Sequence, residues 1–97
     1  MIDLKNGISV VKFGTEWCTP CKIVNKLLIK MQQEFETINF ISIDVDDYPE
    51  LGKYYKIKNL PTILLFSDKK EINRIIGAVK TESLRKAIRD SLKHKAA

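Results

Sequence analysis

The sequence predicts a single α/β domain, residues 1–97, with a central mixed β-sheet of four to five strands flanked by helices on both faces. Three observations lead to this fold class. The chain has 97 residues, which is room for one hydrophobic core and not for a second. Apolar runs of strand length alternate with segments of helical periodicity, and the last two strands are close enough to form a hairpin. A β-α-β unit followed by a hairpin and a helix makes one sheet with both faces covered.

The first strand and the first helix have the clearest patterns. Residues Ile8 to Phe13 form a β-branched run bounded by Gly7 and Gly14, which is typical of a buried strand. From Pro20 to about Phe35 apolar residues recur at spacings of three and four, which predicts an amphipathic helix. Pro20 lies at the start of that helix, where its missing N–H costs nothing.

The middle of the chain predicts a second strand and a short helix. Residues 38–45 alternate between apolar and polar types and end in an acidic turn. Asp47 then has the features of an N-cap, because Glu50 follows three residues later and Pro49 lies between them. The short helix should therefore run from about Pro49 to Tyr54.

Two further strands and a helix complete the pattern. Thr62–Ser67 is a continuous apolar strand that residues 68–70 join to a strand over Glu71–Ile76, and so short a connection predicts a hairpin. Thr81 is a candidate cap for a last helix reaching about Lys93, and Met1–Leu4 is a candidate short edge strand. The inner stripe of the last helix should consist of Leu84, Ala87, Ile88 and Leu92, with an (i, i+4) pair between Glu82 and Lys86 on its outer face.

Composition and charge exclude several classes of protein. The chain is 44% apolar and 30% charged, which argues against intrinsic disorder and against a coiled coil. It has no apolar run of the roughly 18 residues that span a bilayer, and its first residues lack a basic and apolar leader. The net charge of +5 is spread over scattered lysines and arginines without interleaved aromatic residues. We therefore expect a cytoplasmic monomer that binds neither membranes nor nucleic acid.

The two cysteines carry the evidence for function. Cys18 and Cys21 are too close in sequence to staple a fold, so their value must be chemical. They open the first helix, where unpaired N–H groups and the helix dipole favour a thiolate over a thiol. We expect Cys18, at the tip, to be the exposed nucleophile and Cys21, one turn in, to be the shielded resolving residue. This arrangement indicates dithiol–disulfide exchange.

Metal binding and a purely structural role are the alternatives for the cysteine pair. Cys-x-x-Cys is half of a zinc site, and the only other candidate ligand is His94, so a complete site would need two chains that pool their thiolates. There is no G-x-G-x-x-G loop for a nucleotide. We expect no bound cofactor, and the redox group would be the Cys18–Cys21 disulfide itself.

The residues around the cysteines resemble those of a known family. The stretch from Phe13 to Lys22, FGTEWCTPCK, resembles the active-site signature of thioredoxins. Lys58–Thr62, KNLPT, resembles the cis-proline loop of that family, and Gly77 fits its third landmark. The resemblance runs from about Ile8 to the C-terminus. It implies a thioredoxin fold in which Pro61, in cis, lies against the cysteine pair.

The resemblance also implies a surface that binds substrate. Leu60 would lend its backbone N–H and C=O to an extended substrate segment, as in strand addition. Trp17 would be partly exposed on that surface, whereas the residue pattern alone also allows it to fill the core. The implied substrate-binding residues are Trp17, Thr19, Pro20, Leu60, Pro61 and Gly77.

Three features depart from the family pattern. Thr19-Pro20 replaces the usual Gly-Pro dipeptide, which tunes the redox potential, and few residues precede the first strand. Lys12 stands where thioredoxins commonly have a buried aspartate. We hypothesise that Lys12 pairs with Asp44 and that its ammonium helps to hold Cys21 as a thiolate. The simpler alternative is that Lys12 extends its ammonium to solvent at the sheet edge.

The sequence and the resemblance together predict a protein-disulfide reductase. Cys18 attacks, Cys21 releases the product, and the charge of Lys22 in the first helical turn further favours the Cys18 thiolate. The expected partners are proteins that contain disulfides, together with a thioredoxin reductase as electron donor. A disulfide isomerase or oxidant is the alternative within this class. A non-catalytic interaction module with incidental cysteines is the alternative from another class.

Overall fold

The computed structural model describes residues 2–94. All seven predicted helices and strands are present, and each predicted boundary is within one residue of the observed one. Residues 2–4 form no strand, and Met1 lies outside the described residues. The elements are β1 (Ile8–Gly14), α1 (Thr19–Glu34), β2 (Asn39–Asp44), α2 (Pro49–Tyr54), β3 (Thr62–Ser67), β4 (Lys70–Ile76) and α3 (Thr81–Leu92).

The four strands form one mixed sheet in the order β2-β1-β3-β4. β1 runs parallel to β2 and antiparallel to β3, and β4 returns antiparallel to β3. The central strands β1 and β3 are buried along their whole length, which explains their continuous apolar runs. Because of these directions, the ends of β1, β2 and β4 and the start of β3 all lie at one end of the sheet.

Helices cover both faces of the sheet, as predicted. Successive residues of β1 and β3 point to opposite faces. On one face, side chains of β1 and β3 pack with the buried residues of α1 and α3. On the opposite face, their other side chains pack with residues in and around α2. The first cluster includes Val10, Val24, Leu28, Met31, Leu65, Leu84 and Ile88, and the second includes Val11, Phe13, Leu64 and Phe66 against Leu51 and Tyr55.

The predicted hairpin is present, and its turn is anchored to the chain before β1. Asp68 and Lys69 have φ values of +47° and +73°, as in a type I′ turn. The N–H of Asp68 donates to the carbonyl of Gly7 at 2.9 Å. The N–H of Gly7 donates in return to Oδ1 of Asp68 at 2.7 Å. These reciprocal bonds offset the cost of a left-handed backbone at two residues that are not glycine.

Both predicted helix caps are wrong. α2 has Tyr48 at its N-cap, without a side-chain cap, because Asp44 already organises this turn. The carbonyl of Asp44 accepts from the N–H groups of Asp47 and Tyr48, and its Oδ1 accepts from the N–H of Asp46. In α3 the N-cap is Lys80 and Thr81 is already helical.

The predicted stripe and ion pair of α3 need correction. Leu92 is 48% exposed, and the small Ser91 is buried in its place with its hydroxyl donating to the carbonyl of Ala87. Glu82 pairs with Arg85, three residues away, instead of with Lys86. Arg85 also reaches α1, where it pairs with Glu34. Lys86 pairs with Asp90 at 2.8 Å. Within residues 2–94, none of the helices is long and apolar enough to cross a membrane.

Candidate active site

Cys18 and Cys21 form a disulfide at the N-terminus of α1. Cys18 is the N-cap residue, with extended backbone, and its Sγ accepts a hydrogen bond of 3.3 Å from the N–H of Cys21. Pro20 has no N–H to leave unpaired in this first turn. The sequence therefore places one sulfur in the position where serine or aspartate oxygens usually cap helices.

The burial of the two sulfurs differs in part from the prediction. Cys21 is fully buried, as expected. Cys18 is only 7% exposed, so the expectation of an exposed Cys18 is wrong, because its sulfur is turned towards the buried Cys21, to which it is bonded. The order of accessibility is as predicted, since only Cys18 has any surface within reach of solvent.

Trp17 lies on the surface directly before the disulfide. Its side chain is 69% exposed, so the core-filling alternative is wrong. The indole Nε1 donates a hydrogen bond of 2.8 Å to Oδ2 of Asp46, in the turn after β2. Sequence reasoning missed Asp46, whose only signal was its place in the acidic turn.

The proline loop and the glycine after β4 are joined to each other. The Leu60–Pro61 peptide bond is cis, and the carbonyl of Pro61 accepts a hydrogen bond of 2.8 Å from the N–H of Gly77. Gly77 has a φ of +86°, which favours glycine. β3 begins at Thr62 opposite Phe13 of β1, so this loop lies at the same end of the sheet as the cysteine loop.

Exposed apolar and aromatic side chains gather at this end of the sheet. Thr19 and Pro20 are exposed, and Leu60 is half-buried. Ile76, the last residue of β4, is 59% exposed, and Tyr48, after β2, is 51% exposed. Ile76 was not among the predicted site residues, because an apolar residue at a strand end cannot be distinguished from a core residue without the topology.

Lys12 is buried in the middle of the central strand β1. It is only 6% exposed, and its Nζ donates a hydrogen bond of 2.6 Å to Oδ1 of Asn25 in α1. No ion pair with Asp44 is present among the described residues, so the predicted pair is wrong. The alternative of an ammonium extended to solvent is wrong as well. Loss of water on burial lowers the pKa of Lys12, and the charge of Asp44 partly opposes that change.

Gly14 separates Lys12 from the disulfide. A β-carbon at Gly14 would lie 2.9 Å from Cys21 Sγ and 3.2 Å from Lys12 Nζ, so both atoms border the space that this glycine leaves open. From the sequence, Gly14 was predicted only to bound the first strand. A crevice of ≈ 180 Å³ opens beside it, lined by Lys12, Gly14, Thr15, Glu16, Asn25, Ser42, Ile43 and Asp44.

The remaining charged and metal-ligating residues add no second centre. Lys22 is exposed in the first turn of α1. Within the described part of the chain, no three His, Cys, Asp or Glu side chains come together to hold a metal ion. The disulfide is the redox-active group that the site itself contains.

Comparison with known proteins gives consistent matches. Residues 1–90 match the family model described as Thioredoxin. Thioredoxin H2 of Arabidopsis thaliana is 37% identical over 81 residues, which cover 84% of this chain and 61% of that protein. Thioredoxin of Chlamydia trachomatis is 32% identical over 86 residues, covering 89% of this chain and 84% of that protein. The crystal structure of oxidized mitochondrial thioredoxin 3 from Saccharomyces cerevisiae has a TM-score of 0.82 at 35% identity, covering 89% of this chain and 80% of that one.

Proposed function

This chain belongs to the thioredoxin family and is a thiol–disulfide oxidoreductase, and on that premise we propose that Cys18 attacks the disulfides of other proteins and Cys21 resolves the product. The observation that carries the assignment of roles is the position of Cys18 at the N-cap of α1. There its Sγ accepts a hydrogen bond from the N–H of Cys21, and the same contact stabilises a thiolate after reduction.

The reaction proceeds in two exchanges. The Cys18 thiolate attacks one sulfur of the substrate disulfide, a Cys18–substrate disulfide forms, and the other substrate sulfur leaves as a thiolate. Cys21 then loses its proton and attacks Cys18 Sγ, which closes the Cys18–Cys21 disulfide and releases the second substrate thiolate. Two electrons pass to the substrate, and its two sulfurs take up two protons. The Cα atoms of the cysteines in the closed disulfide are 5.2 Å apart, within the usual range for such a bond.

The substrate surface is built from the loops at the active-site end of the sheet. Among residues 2–94, neither the N–H nor the C=O of Leu60 forms a hydrogen bond within the protein, which leaves both to pair with an extended segment of the substrate. Trp17 and Pro20 offer exposed surface on one side of that segment, and Pro61 with Gly77 borders the other. Thr19 lies between the cysteines and completes the proposed set.

The partners and location follow from the chemistry of a reductant. A disulfide reductase is useful only if another protein returns it to the dithiol state, and we assign that role to a thioredoxin reductase. Reducing power of this kind is maintained in the cytoplasm, where thiols stay reduced, so we place the protein there. We expect a monomer, since the active-site end must remain open to large substrates.

Turnover of a protein disulfide with dithiothreitol as electron source tests this function. The wild type should accelerate reduction, Cys18→Ser should abolish the acceleration, and Cys21→Ser should accumulate a mixed disulfide with the substrate. Equal rates for wild type and Cys18→Ser would contradict the proposal and leave a non-catalytic interaction module. Equilibration of the pair with a glutathione buffer then separates a reductant from an isomerase or oxidant, because the latter have higher reduction potentials.

A further inference from the structure

The geometry points to Lys12 as a positioning residue for the second exchange: its ammonium, held by Asn25 beside Gly14, stabilises the thiolate of Cys21. The inference rests on the proposed function, because it concerns the step in which Cys21 attacks Cys18. It assigns a chemical task to a buried charge that the fold itself does not require.

Lys12 is held in place from two sides. Its backbone lies in the central strand, paired with Ser42 of β2 and Ile63 of β3. Its Nζ is fixed by the 2.6 Å hydrogen bond to Asn25 Oδ1, and Asn25 lies one helical turn after Cys21. The ammonium is therefore directed at the underside of the first turn of α1, next to the buried sulfur.

The space between the ammonium and the sulfur contains no side chain. Gly14 lies between them, and a β-carbon there would be within 3.2 Å of Lys12 Nζ and 2.9 Å of Cys21 Sγ. Cys21 is fully buried and the side chain of Lys12 has little exposed surface, so the field of the ammonium at the sulfur is screened less than it would be between two exposed groups. A positive charge at this range favours the thiolate over the thiol.

The other groups around Lys12 do not cancel its charge by direct contact. Asp44 of β2 and Glu16 of the cysteine loop line the same crevice, and neither carboxylate lies within ion-pair distance of Lys12 in the described residues. α1 contributes the uncharged Asn25 and Gln32, and β3 contributes the apolar Ile63. Lys12 is the only cation among the residues that line this crevice.

In this proposal Lys12 acts through its positive charge and does not take up the proton of Cys21. An ammonium has no lone pair, so the proton that leaves Cys21 passes to solvent through the crevice, whose volume of ≈ 180 Å³ exceeds that of one water molecule. Thr15 also lines this crevice, and its buried hydroxyl has no hydrogen-bond partner within residues 2–94. Cys21 then attacks Cys18, the mixed disulfide breaks, and the departing substrate thiolate takes a proton from solvent.

Stabilising a thiolate of the reduced pair also changes the redox equilibrium. Charge that favours the reduced form relative to the disulfide makes the pair more oxidising. Lys12 should therefore raise the reduction potential of the Cys18–Cys21 pair, which makes the protein a weaker reductant than it would be without this charge.

The pKa of Cys21 in a Cys18→Ser background tests the inference, read from thiolate absorbance in the ultraviolet. Lys12→Met should raise this pKa by about one unit or more, because it removes the charge and keeps a long apolar chain. Asn25→Leu retains Lys12 and removes the acceptor that holds its Nζ without adding a charge, so it should raise the pKa in the same direction, and it serves if Lys12→Met folds poorly. Lys26→Met removes an equal charge from the exposed face of α1 and should leave the value unchanged.

The glutathione equilibrium of the two-cysteine protein gives a second readout. Measured at a pH above the Cys21 pKa of both proteins, where this thiol is ionised, Lys12→Met should shift it about tenfold towards the disulfide, which corresponds to one pKa unit. A Cys21 pKa that is unchanged or lower in Lys12→Met, or in Asn25→Leu where Lys12→Met does not fold, would overturn the inference. Dithiothreitol-driven turnover of the wild type is measured separately, so loss of the proposed function and loss of this inference give different results.

Discussion

The indole of Trp17 and the carboxylate of Asp46 are joined by a 2.8 Å hydrogen bond across 29 positions of the chain. It links the residue before Cys18 to the turn after β2, and it holds a mostly exposed aromatic ring in one orientation. An ordered ring at a binding surface loses less conformational entropy when a substrate docks on it. The bond therefore prepares one side of the proposed substrate surface.

Asp46→Ala should weaken substrate binding and leave chemistry intact. We expect the KM for a protein disulfide to rise about two- to fivefold with kcat unchanged, which corresponds to the net value of one hydrogen bond. Trp17 is the only tryptophan, so a fall in fluorescence anisotropy would report its release directly. Asp47→Ala, at the exposed neighbouring position, is the matched control. An unchanged KM together with a mobile indole would contradict the prediction.

Gly14→Ala should destabilise the oxidised protein by about 1–3 kcal/mol, because the new β-carbon would lie 2.9 Å from Cys21 Sγ and the disulfide cannot move aside. Chemical unfolding measures the loss. Gly52→Ala is the control, since its β-carbon would meet only Val45 at 3.4 Å and alanine is favoured over glycine within a helix. Equal stability of the two variants would show that the space beside Cys21 is not tight.

Arg74→Met should lower the free energy of unfolding by about 1–3 kcal/mol, the range for hydrogen bonds to a charged group. Arg74 of β4 donates to the carbonyls of Tyr55 and Lys56, which follow α2, and pairs with Glu71 at 2.9 Å. Glu71→Gln keeps the bonds to the carbonyls and removes the ion pair alone. It should cost less than Arg74→Met in the same unfolding experiment, and the opposite order would contradict this account.

The elements of the fold could be predicted because each depends on local patterns. The continuous run at Thr62–Ser67 is buried on both faces of a sheet, and the spacing of Val24, Leu28 and Met31 is that of a buried helical stripe. The redox role of Cys18 and Cys21 could also be inferred from the sequence, because their chemistry depends on their position at the start of a helix.

Partners of polar side chains could not be predicted, because they depend on which segments meet in space. Lys12 was expected to pair with Asp44 on the neighbouring strand, and its partner is Asn25 on a helix packed above. Asp47 matched a capping pattern, but the backbone and carboxylate of Asp44 had already formed that turn. The role of Gly14 could not be predicted either, because it depends on where Lys12 Nζ and Cys21 Sγ lie relative to each other in space.

The pair between Glu34 and Arg85 should make stability depend on pH. A hydrogen bond from Arg85 lowers the pKa of Glu34 below its usual range, with a smaller opposing effect of lost hydration. A depressed carboxyl pKa stabilises the fold above the usual value of about 4.3, and this contribution disappears as pH falls through the lower, folded-state pKa.

Unfolding free energies of wild type and Glu34→Gln, compared from pH 7 to pH 3, measure this effect. The advantage of the wild type should be present at pH 7 and should decrease towards the acid end of this range. Glu36→Gln is the control, because Glu36 is exposed and pairs with no cation among the described residues. A difference between wild type and Glu34→Gln that does not change with pH would contradict the assignment.

The two sulfurs belong to a single turn at the start of α1, whereas the helix is fixed to the sheet further along, through Val24, Leu28 and Met31. We therefore expect that breaking or closing the bridge leaves the packing of every other element in place. The oxidised and reduced proteins should then have nearly the same outline, and a partner would distinguish them by the reactivity of one sulfur atom rather than by shape.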